Sequence, residues 1–412
     1  MTPTEPTEKA GIRGLPRNVW IVTITSFLTD ISSEMVLNLV PLFLANVLGV
    51  QTSVIGLIEG IAESTASILK VFSGWLSDKL GRRKWLTVLG YTLSSFSKPF
   101  LYFATTWPGV LLVRFADRVG KGVRTAPRDA LIADSIDARH RGLAFGLHRA
   151  GDTAGAMIGL IIALLVVASA QSQAVDLSRN TFQIVVLVSI IPAFLAVIVL
   201  AFGAREVPVT GVREAPNLSL RGMPSSFRRF LVIVVIFTLG NSSDAFLVLR
   251  AQERGLNVLG VLGMLITFNF VYAVIAGPAG ALSDRIGRRR LILIGWGVYG
   301  LIYLGFALVS SAWEVWVLYA LYGIYYGVFE GASKALVADL ISSEKRGTAY
   351  GIYNAAIGIV ALPASLIAGI LWQGVGSWTG FGPAAPFLIG AVLSLTAMVL
   401  FAFWKPAPAP TS

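Results

Sequence analysis

Apolar runs of about 20 residues, each followed by a short polar connection, repeat from one end of the chain to the other. About twelve such runs fall near residues 19–48, 54–77, 86–104, 109–135, 142–169, 182–203, 230–252, 257–282, 291–309, 313–341, 347–373 and 384–404. A run of that length crosses about 30 Å of hydrocarbon as a helix. Only helices and closed barrels satisfy every backbone N–H and C=O in lipid, and uninterrupted apolar runs of this length rule out a barrel. The pattern therefore predicts an all-α membrane protein with about twelve transmembrane helices. Composition agrees, with 55% apolar and 13% charged residues against roughly one quarter charged in soluble domains.

The polar connections carry a repeat. Gly74-Trp75-Leu76-Ser77-Asp78-Lys79-Leu80-Gly81-Arg82-Arg83-Lys84 returns as Gly280-Ala281-Leu282-Ser283-Asp284-Arg285-Ile286-Gly287-Arg288-Arg289-Arg290. Ala130-Leu131-Ile132-Ala133-Asp134 likewise returns as Ala335-Leu336-Val337-Ala338-Asp339, and Ser32-Ser33-Glu34 has a counterpart in Ser242-Ser243-Asp244. The chain thus reads as two parallel repeats. The expected organisation is an N-terminal tail (1–18), a six-helix bundle (19–203), a linker (204–229), a second six-helix bundle (230–404) and a tail (405–412).

The duplicated loop resembles that of the major facilitator superfamily, where it joins the second and third helices of each six-helix half. The resemblance implies two pseudo-symmetric bundles that rock about a central site, with no cofactor and no enzymatic chemistry. It also implies that the loop stabilises one conformation as a latch, a role carried here to Gly74, Asp78, Gly81 and Arg82, with Asp284 and Arg288 in the second copy. The residues give an independent reason. Gly81 and Gly287 permit tight reversals, and a carboxylate at a helix end can pair with nearby arginines or face another helix's positive terminus. A basic loop that only sets topology is the alternative.

The net charge of +11 changes the picture through its distribution. Lys79, Arg82, Arg83, Lys84, Arg141, Arg228, Arg229, Arg288, Arg289, Arg290 and Lys345 all fall on alternate connections, whereas the opposite ones hold little more than Arg179 and Arg254. By the positive-inside rule both termini are expected in the cytoplasm, in an inner or plasma membrane. The basic excess is read as topology and attraction to anionic lipid, not nucleic acid. There is no cysteine, which excludes disulfides and thiol chemistry. No zinc-ligand cluster, Walker loop or dinucleotide fingerprint is visible. The polar start has no cleavage site before the first run, so no removable signal peptide is expected, and the tail from Lys405 reads as disordered.

The fourth run is unusual. Arg114, Asp117, Lys121, Arg124 and Arg128 follow at helical spacing, with Arg118 on the flank, so one face of a membrane helix is charged. Such a face cannot meet lipid and must line a cavity or meet counter-charges. Arg114-Phe115-Ala116-Asp117-Arg118-Val119-Gly120 partly matches the family's fourth-helix motif, whose arginine is linked to proton coupling. Asp117 and Arg118 replace its Gln and Gly. Candidate counter-charges are Asp30 and Glu34 in the first run, Asp152 in the fifth, and Glu59, Glu63 and Lys70 in the second. His148, four residues before Asp152, could exchange protons near neutral pH or be a packing residue. Proton-coupling candidates are therefore Asp30, Glu34, Arg114, His148 and Asp152.

Gly151, Gly155, Ala156 and Gly159 partly match a fifth-helix pattern associated with antiporters in the family, yet small residues spaced by four also serve close helix packing. In the second half Asn241, Asp244, Glu330, Lys334 and several tyrosines, Tyr326 among them, are the polar positions inside runs. A cationic wall facing an aromatic one suits an organic anion or an amphipathic compound, with Arg118, Lys121, Arg124, Asn241 and Tyr326 as substrate-binding candidates. The expectation is a monomeric, proton-coupled secondary transporter, with efflux slightly favoured over uptake of an anionic nutrient or siderophore-like chelate. Its partners would be a small-molecule substrate, protons and membrane lipid. A non-transporting receptor or assembly protein on the same fold would need every cavity charge internally paired. An intramembrane enzyme would have only the His148–Asp152 pair to work with.

Overall fold

The computed structural model describes residues 12–137, 140–171, 175–207, 219–341 and 345–404, apart from the side chains of 13, 277–285, 329–331, 334–335 and 347. Residues 1–11 of the N-terminal tail, the C-terminal tail, the middle of the expected linker and the side chains of Asp284, Glu330 and Lys334 lie outside the described residues. The first span is α1 (Arg17–Leu37), the short α2 (Val40–Leu42) and a π-helical turn at Phe43–Val47. Then come α3 (Thr52–Leu80), α4 (Arg83–Ser97) with a 3-10 extension at Lys98–Phe103, α5 (Trp107–Asp134), α6 (Arg141–Gln171) and α7 (Arg179–Gly203). The second half repeats this order as α8 (Ser225–Leu239) with α9 (Ala245–Glu253), α10 (Val258–Ile286), α11 (Arg288–Leu308), α12 (Ala312–Leu340), α13 (Arg346–Gln373) and α14 (Ala385–Phe403).

These are two six-span bundles with matching internal contacts. In the first half α1 packs on α6 and α7, α3 on α5, and α4 on α5 and α7. In the second, α8 packs on α13 and α14, α10 on α12, and α11 on α12 and α14. Among the described residues seven segments are long and apolar enough to cross a membrane by composition alone. Spans such as α3 and α5 miss that standard because they carry charges, and the structure turns those charges inward: Glu59, Arg114, Asp117, Arg118 and Arg124 are all buried.

Glycines let helices meet at backbone distance in two places. Along α6, a Cβ added to Gly155 or Gly159 would stand 2.4 Å from the carbonyl oxygen of Phe27 or Ile31 on α1. The fifth-run glycine pattern thus serves close packing within one bundle. The second seam joins the bundles. A Cβ on Gly56 of α3 would lie 2.2 Å from the Ser365 carbonyl oxygen, and one on Gly369 of α13 would lie 2.3 Å from that of Thr52. Ser64 Oγ donates to the Gly358 carbonyl at 2.5 Å, and Thr52 N–H to Gln373 Oε1 at 2.8 Å. Because α3 runs from Thr52 toward the basic loop at Gly81, this seam closes the two halves at the end away from the loops. Across another inter-bundle pair, α6 and α10, the Arg149 guanidinium donates to the Tyr272 hydroxyl.

In the first basic loop one arginine of the two is the partner of Asp78. Gly81 takes a left-handed conformation (φ 61°) and closes α3, and Gly287, also at positive φ (85°), makes the reversal before α11. Immediately after the turn Arg82 is extended and exposed, and Arg83, in the first turn of α4, points inward. Asp78 therefore pairs with Arg83, at 2.9 Å, and not with Arg82. Arg83 also pairs with Asp134 at the end of α5, so the motif clamps α3, α4 and α5 of a single bundle. In the second loop Arg288 pairs with Asp339, while Arg289 donates to the last carbonyls around α14, Ala402 at 2.9 Å and Trp404 at 2.7 Å.

This arrangement separates two neighbouring arginines that sequence treats alike. Arg83→Ala should lower stability by about 3 kcal/mol or more, because it removes the buried cation shared by Asp78 and Asp134. Arg82→Ala should stay within about 0.5 kcal/mol, as surface changes do. Thermal unfolding of the two purified variants compares them directly; equal losses would remove the clamp.

Candidate functional site

Between the bundles lies a cavity of about 390 Å³, walled by α1, α3 and α5 on one side and by the α8–α9 junction, α12 and α13 on the other. The α8–α9 junction is where sequence and structure differ most. The apolar run at 230–252 predicts one continuous helix, but residues 240–244 are not helical. Gly240 packs against Gly390, where a Cβ would lie 2.9 Å from the carbonyl oxygen. The next four residues, Asn241-Ser242-Ser243-Asp244, have short polar side chains that compete with the helix ladder for backbone groups. Ser243 Oγ accepts from Ala245 N–H at 3.3 Å, and Tyr299 donates to Asn241 Oδ1 at 3.1 Å. Hydrophobicity alone carries no trace of such a break, although the clustering of four polar residues inside the run does.

On the opposite wall the α5 stripe is largely matched. Arg114 pairs with Glu59 at 2.5 Å and Arg118 with Glu63 at 3.1 Å. Asp117 accepts from Ser94 at 2.5 Å. The Arg124 guanidinium stacks 4.3 Å over the Tyr91 ring. Lys98 was not among the candidates read from sequence. It is buried and donates to Ser32 and Ser33 of α1 at 2.8 and 2.9 Å. The signal available for it was its position as a lone charge inside the third apolar run. Burying these groups against counter-charges, hydroxyls or a ring face is what makes a charged helix admissible in a membrane at all.

All five substrate-binding candidates, Arg118, Lys121, Arg124, Asn241 and Tyr326, line the cavity. Their availability differs. Arg118 and Arg124 are engaged as above and buried, whereas Lys121 is exposed to the cavity and has neither ion pair nor side-chain hydrogen bond among the described residues. Of the proton-coupling candidates, Asp30, Glu34 and Arg114 line the cavity. Glu34 accepts from Asn38 at 2.7 Å. His148 and Asp152 lie elsewhere. The buried His148 ring shares a 3.0 Å hydrogen bond with Ser26 on α1, and its Nδ1 is 3.4 Å from Asp152. Ser26 in turn bonds the Tyr91 hydroxyl at 2.8 Å, so a polar chain runs from Asp152 through His148, Ser26 and Tyr91 to Arg124 at the cavity wall.

A second space of about 190 Å³ opens beside the first, lined by Phe237, Trp296, Tyr325 and Tyr353 and sharing Asn241 and Tyr326 with it. It sits inside the second bundle. Most of the remaining tyrosines are core: Tyr299 and Tyr303 stack at 4.2 Å, and both are buried with Tyr319 and Tyr322. The site as a whole is a charged chamber with an aromatic side room, suited to holding a solute with one polar end and one apolar end.

The chain matches the Major Facilitator Superfamily over residues 22–268 and 230–412. An uncharacterised MFS-type transporter of Methanocaldococcus jannaschii is 38% identical over 397 residues, covering 95% of this chain and 96% of its own length. A proton-coupled antiporter flippase, LtaA, of Staphylococcus saprophyticus is 23% identical, with 87% and 88% of the two chains covered. Among solved structures, a bacterial homologue of the human lysosomal transporter Spinster, inward-facing and occupied, superposes with a TM-score of 0.76 at 15% identity, covering 94% of this chain and 98% of the other. This protein therefore belongs to the Major Facilitator Superfamily. It is an integral membrane transporter and not an enzyme.

Proposed function

We propose that the protein is a proton-coupled secondary transporter that carries a small organic anion or amphipathic solute by alternating access, in the direction of export. The observation that carries this reading is Lys121, a cation of the α5 stripe that faces the cavity without a carboxylate partner among the described residues. An anionic group entering the cavity finds its charge-assisted partner there, while the aromatic side room accommodates an apolar remainder. Asp30 has no ion pair among the described residues, and Glu34 is held only by an amide. These two carboxylates are the groups we assign to proton exchange. The relative named as a proton-coupled antiporter supports coupling and direction. A receptor with a fully paired interior is disfavoured by the same unpaired groups.

The rocking units would be residues 19–203 and 230–404, with 204–229 as linker and the chain acting as a monomer. With the basic loops and both termini in the cytoplasm, the glycine seam of α3 and α13 is the outer gate, closed in this structure. Transport into proteoliposomes of a labelled library of organic anions, amphipaths and their chelates, with and without a pH gradient, tests the reading. Lys121→Gln should weaken an anionic substrate by about 1.5 kcal/mol or more, as for a charge-assisted bond. Asp30→Asn should retain exchange but lose accumulation against a gradient, because an amide cannot titrate. Gradient-insensitive uptake by the wild type would sink the coupling, and unchanged anion affinity in Lys121→Gln would sink the anion site.

A further inference from the structure

Among the described residues the cavity lining holds more acid than base. Six carboxylates line it, Asp30, Glu34, Glu59, Glu63, Asp117 and Asp244, against the four cations of α5. Counting buried Lys98 behind the wall still leaves an excess of one. The imbalance is also spatial. Among the described residues every lining cation belongs to the first bundle, and the one charged residue that the second bundle contributes to the lining is Asp244.

Asp244 occupies the N-cap position of α9, where an aspartate ordinarily accepts from the first backbone N–H groups of its helix. It makes no such bond. Ser243 accepts from Ala245 N–H instead, and the Asp244 carboxylate is exposed to the cavity. Its side-chain partner is the Tyr322 hydroxyl, donating at 3.0 Å. No cation lies within ion-pair distance among the described residues. Tyr326, which lines the cavity, stands edge-on to Tyr322 with ring centroids 4.9 Å apart. A cavity-facing carboxylate, oriented by the buried Tyr322 hydroxyl and with the Tyr326 side chain in the same lining, is a site for an organic cation, because the charge meets a counter-charge and an aromatic side chain together.

We infer that the solute carries a protonated nitrogen as well as an acid group, and that Asp244, positioned by the Tyr322 hydroxyl, forms with Tyr326 the subsite for that nitrogen. The substrate class is then an aromatic or otherwise apolar zwitterion, held with its acid toward Lys121, its nitrogen toward Asp244 and its apolar part in the side room. This rests on the reading of Lys121 as the anion site, and it assigns to the second bundle the half of recognition that reading leaves open. A solute spanning both walls also ties the two bundles together, which is what alternating access requires of a substrate.

Three matched probes separate the charges: phenylalanine, which has both; 3-phenylpropanoate, which lacks the amine; and phenethylamine, which lacks the acid. Binding to the purified full-length protein is read from thermal stabilisation at millimolar probe, in the wild type and in Asp244→Asn, Tyr326→Ala and Lys121→Gln. Asparagine can still accept from Tyr322, so the first variant deletes the charge and keeps the local bond. Phenylalanine should bind best, and Asp244→Asn should weaken it and phenethylamine by about tenfold or more while leaving 3-phenylpropanoate unchanged. Lys121→Gln should do the reverse. If 3-phenylpropanoate binds through Lys121 and the amine adds nothing, the nitrogen subsite is overturned and the anion reading stands. If the amine binds through Asp244 and the acid is ignored, the subsite stands and the anion reading falls. Loss of discrimination in neither variant, or stabilisation by no probe, overturns both. A proton on Asp244 in place of an organic cation predicts the first of these overturning patterns.

Discussion

Replacing Arg114 by methionine is expected to destabilise the protein by about 3–5 kcal/mol, the usual consequence of removing one member of a buried ion pair. Arg114 is 2% exposed and pairs at 2.5 Å with Glu59, itself 5% exposed. Without the guanidinium, the carboxylate is left charged in a wall it cannot leave. The double change Arg114→Met with Glu59→Leu removes both charges and should recover most of the loss, because a buried pair contributes little beyond what a well-packed apolar pair would. Unfolding midpoints of the two single variants and the double variant form a cycle that isolates the pair. The coupling role implied by family resemblance makes a different demand on the conservative change. Arg114→Lys should remain folded, since it keeps the charge, but lose gradient-driven accumulation if the guanidinium geometry is used in the cycle. A double variant as unstable as the singles would show that Arg114 is held by something other than Glu59.

The second large effect concerns the seam between bundles. Gly56→Ala should shift the protein away from the conformation closed at the end remote from the basic loops, by a factor of about ten or more in population. The added Cβ would meet the Ser365 carbonyl at 2.2 Å, and overpacking of a backbone contact costs about 1–3 kcal/mol. Only the seated state of α3 against α13 bears that cost, so the fold should survive. Gly155→Ala has the same local geometry, with the Phe27 carbonyl at 2.4 Å, but its seam lies between α1 and α6 of a single bundle. Both conformations use that contact. Its effect should therefore appear as lowered stability without a change in the balance of states. The absence of cysteine from the chain allows pairs of introduced cysteines to carry spin labels across α3 and α13. Unchanged distance distributions in Gly56→Ala would mean that the seam is not the gate.

Several elements were legible before any coordinates. Apolar runs marked all twelve spans within a few residues, since crossing hydrocarbon imposes both length and continuity on a helix. The duplicated basic loops marked the two halves, and Gly81 and Gly287 marked their reversals because only glycine takes those backbone angles freely. The helical spacing of Arg114, Asp117, Lys121, Arg124 and Arg128, with Arg118 on the flank, was sufficient to turn them away from lipid, given what lipid exposure of a charge costs, although Arg128 pairs with Asp129 and is not part of the cavity lining. The other five line the cavity.

Partners were not legible. Arg82 and Arg83 are equivalent in the sequence, and only the turn at Gly81 sends one outward and the other to Asp78 and Asp134. The stripe reads as strongly cationic until Glu59 and Glu63 come across from α3, some 55 residues away in sequence for the Arg114 pair. His148 and Asp152 look like cavity residues by depth, yet they face the α1 seam instead. The chain by itself determined the number of spans, the repeat and which positions are charged inside the membrane, because those follow from the free energy of each residue in lipid. Which charges neutralise one another, which stay open to a solute, and where the seventh span breaks were decided by tertiary structure. Ion pairing and close backbone contact act over a few ångströms between segments distant in sequence, and only packing brings those segments together.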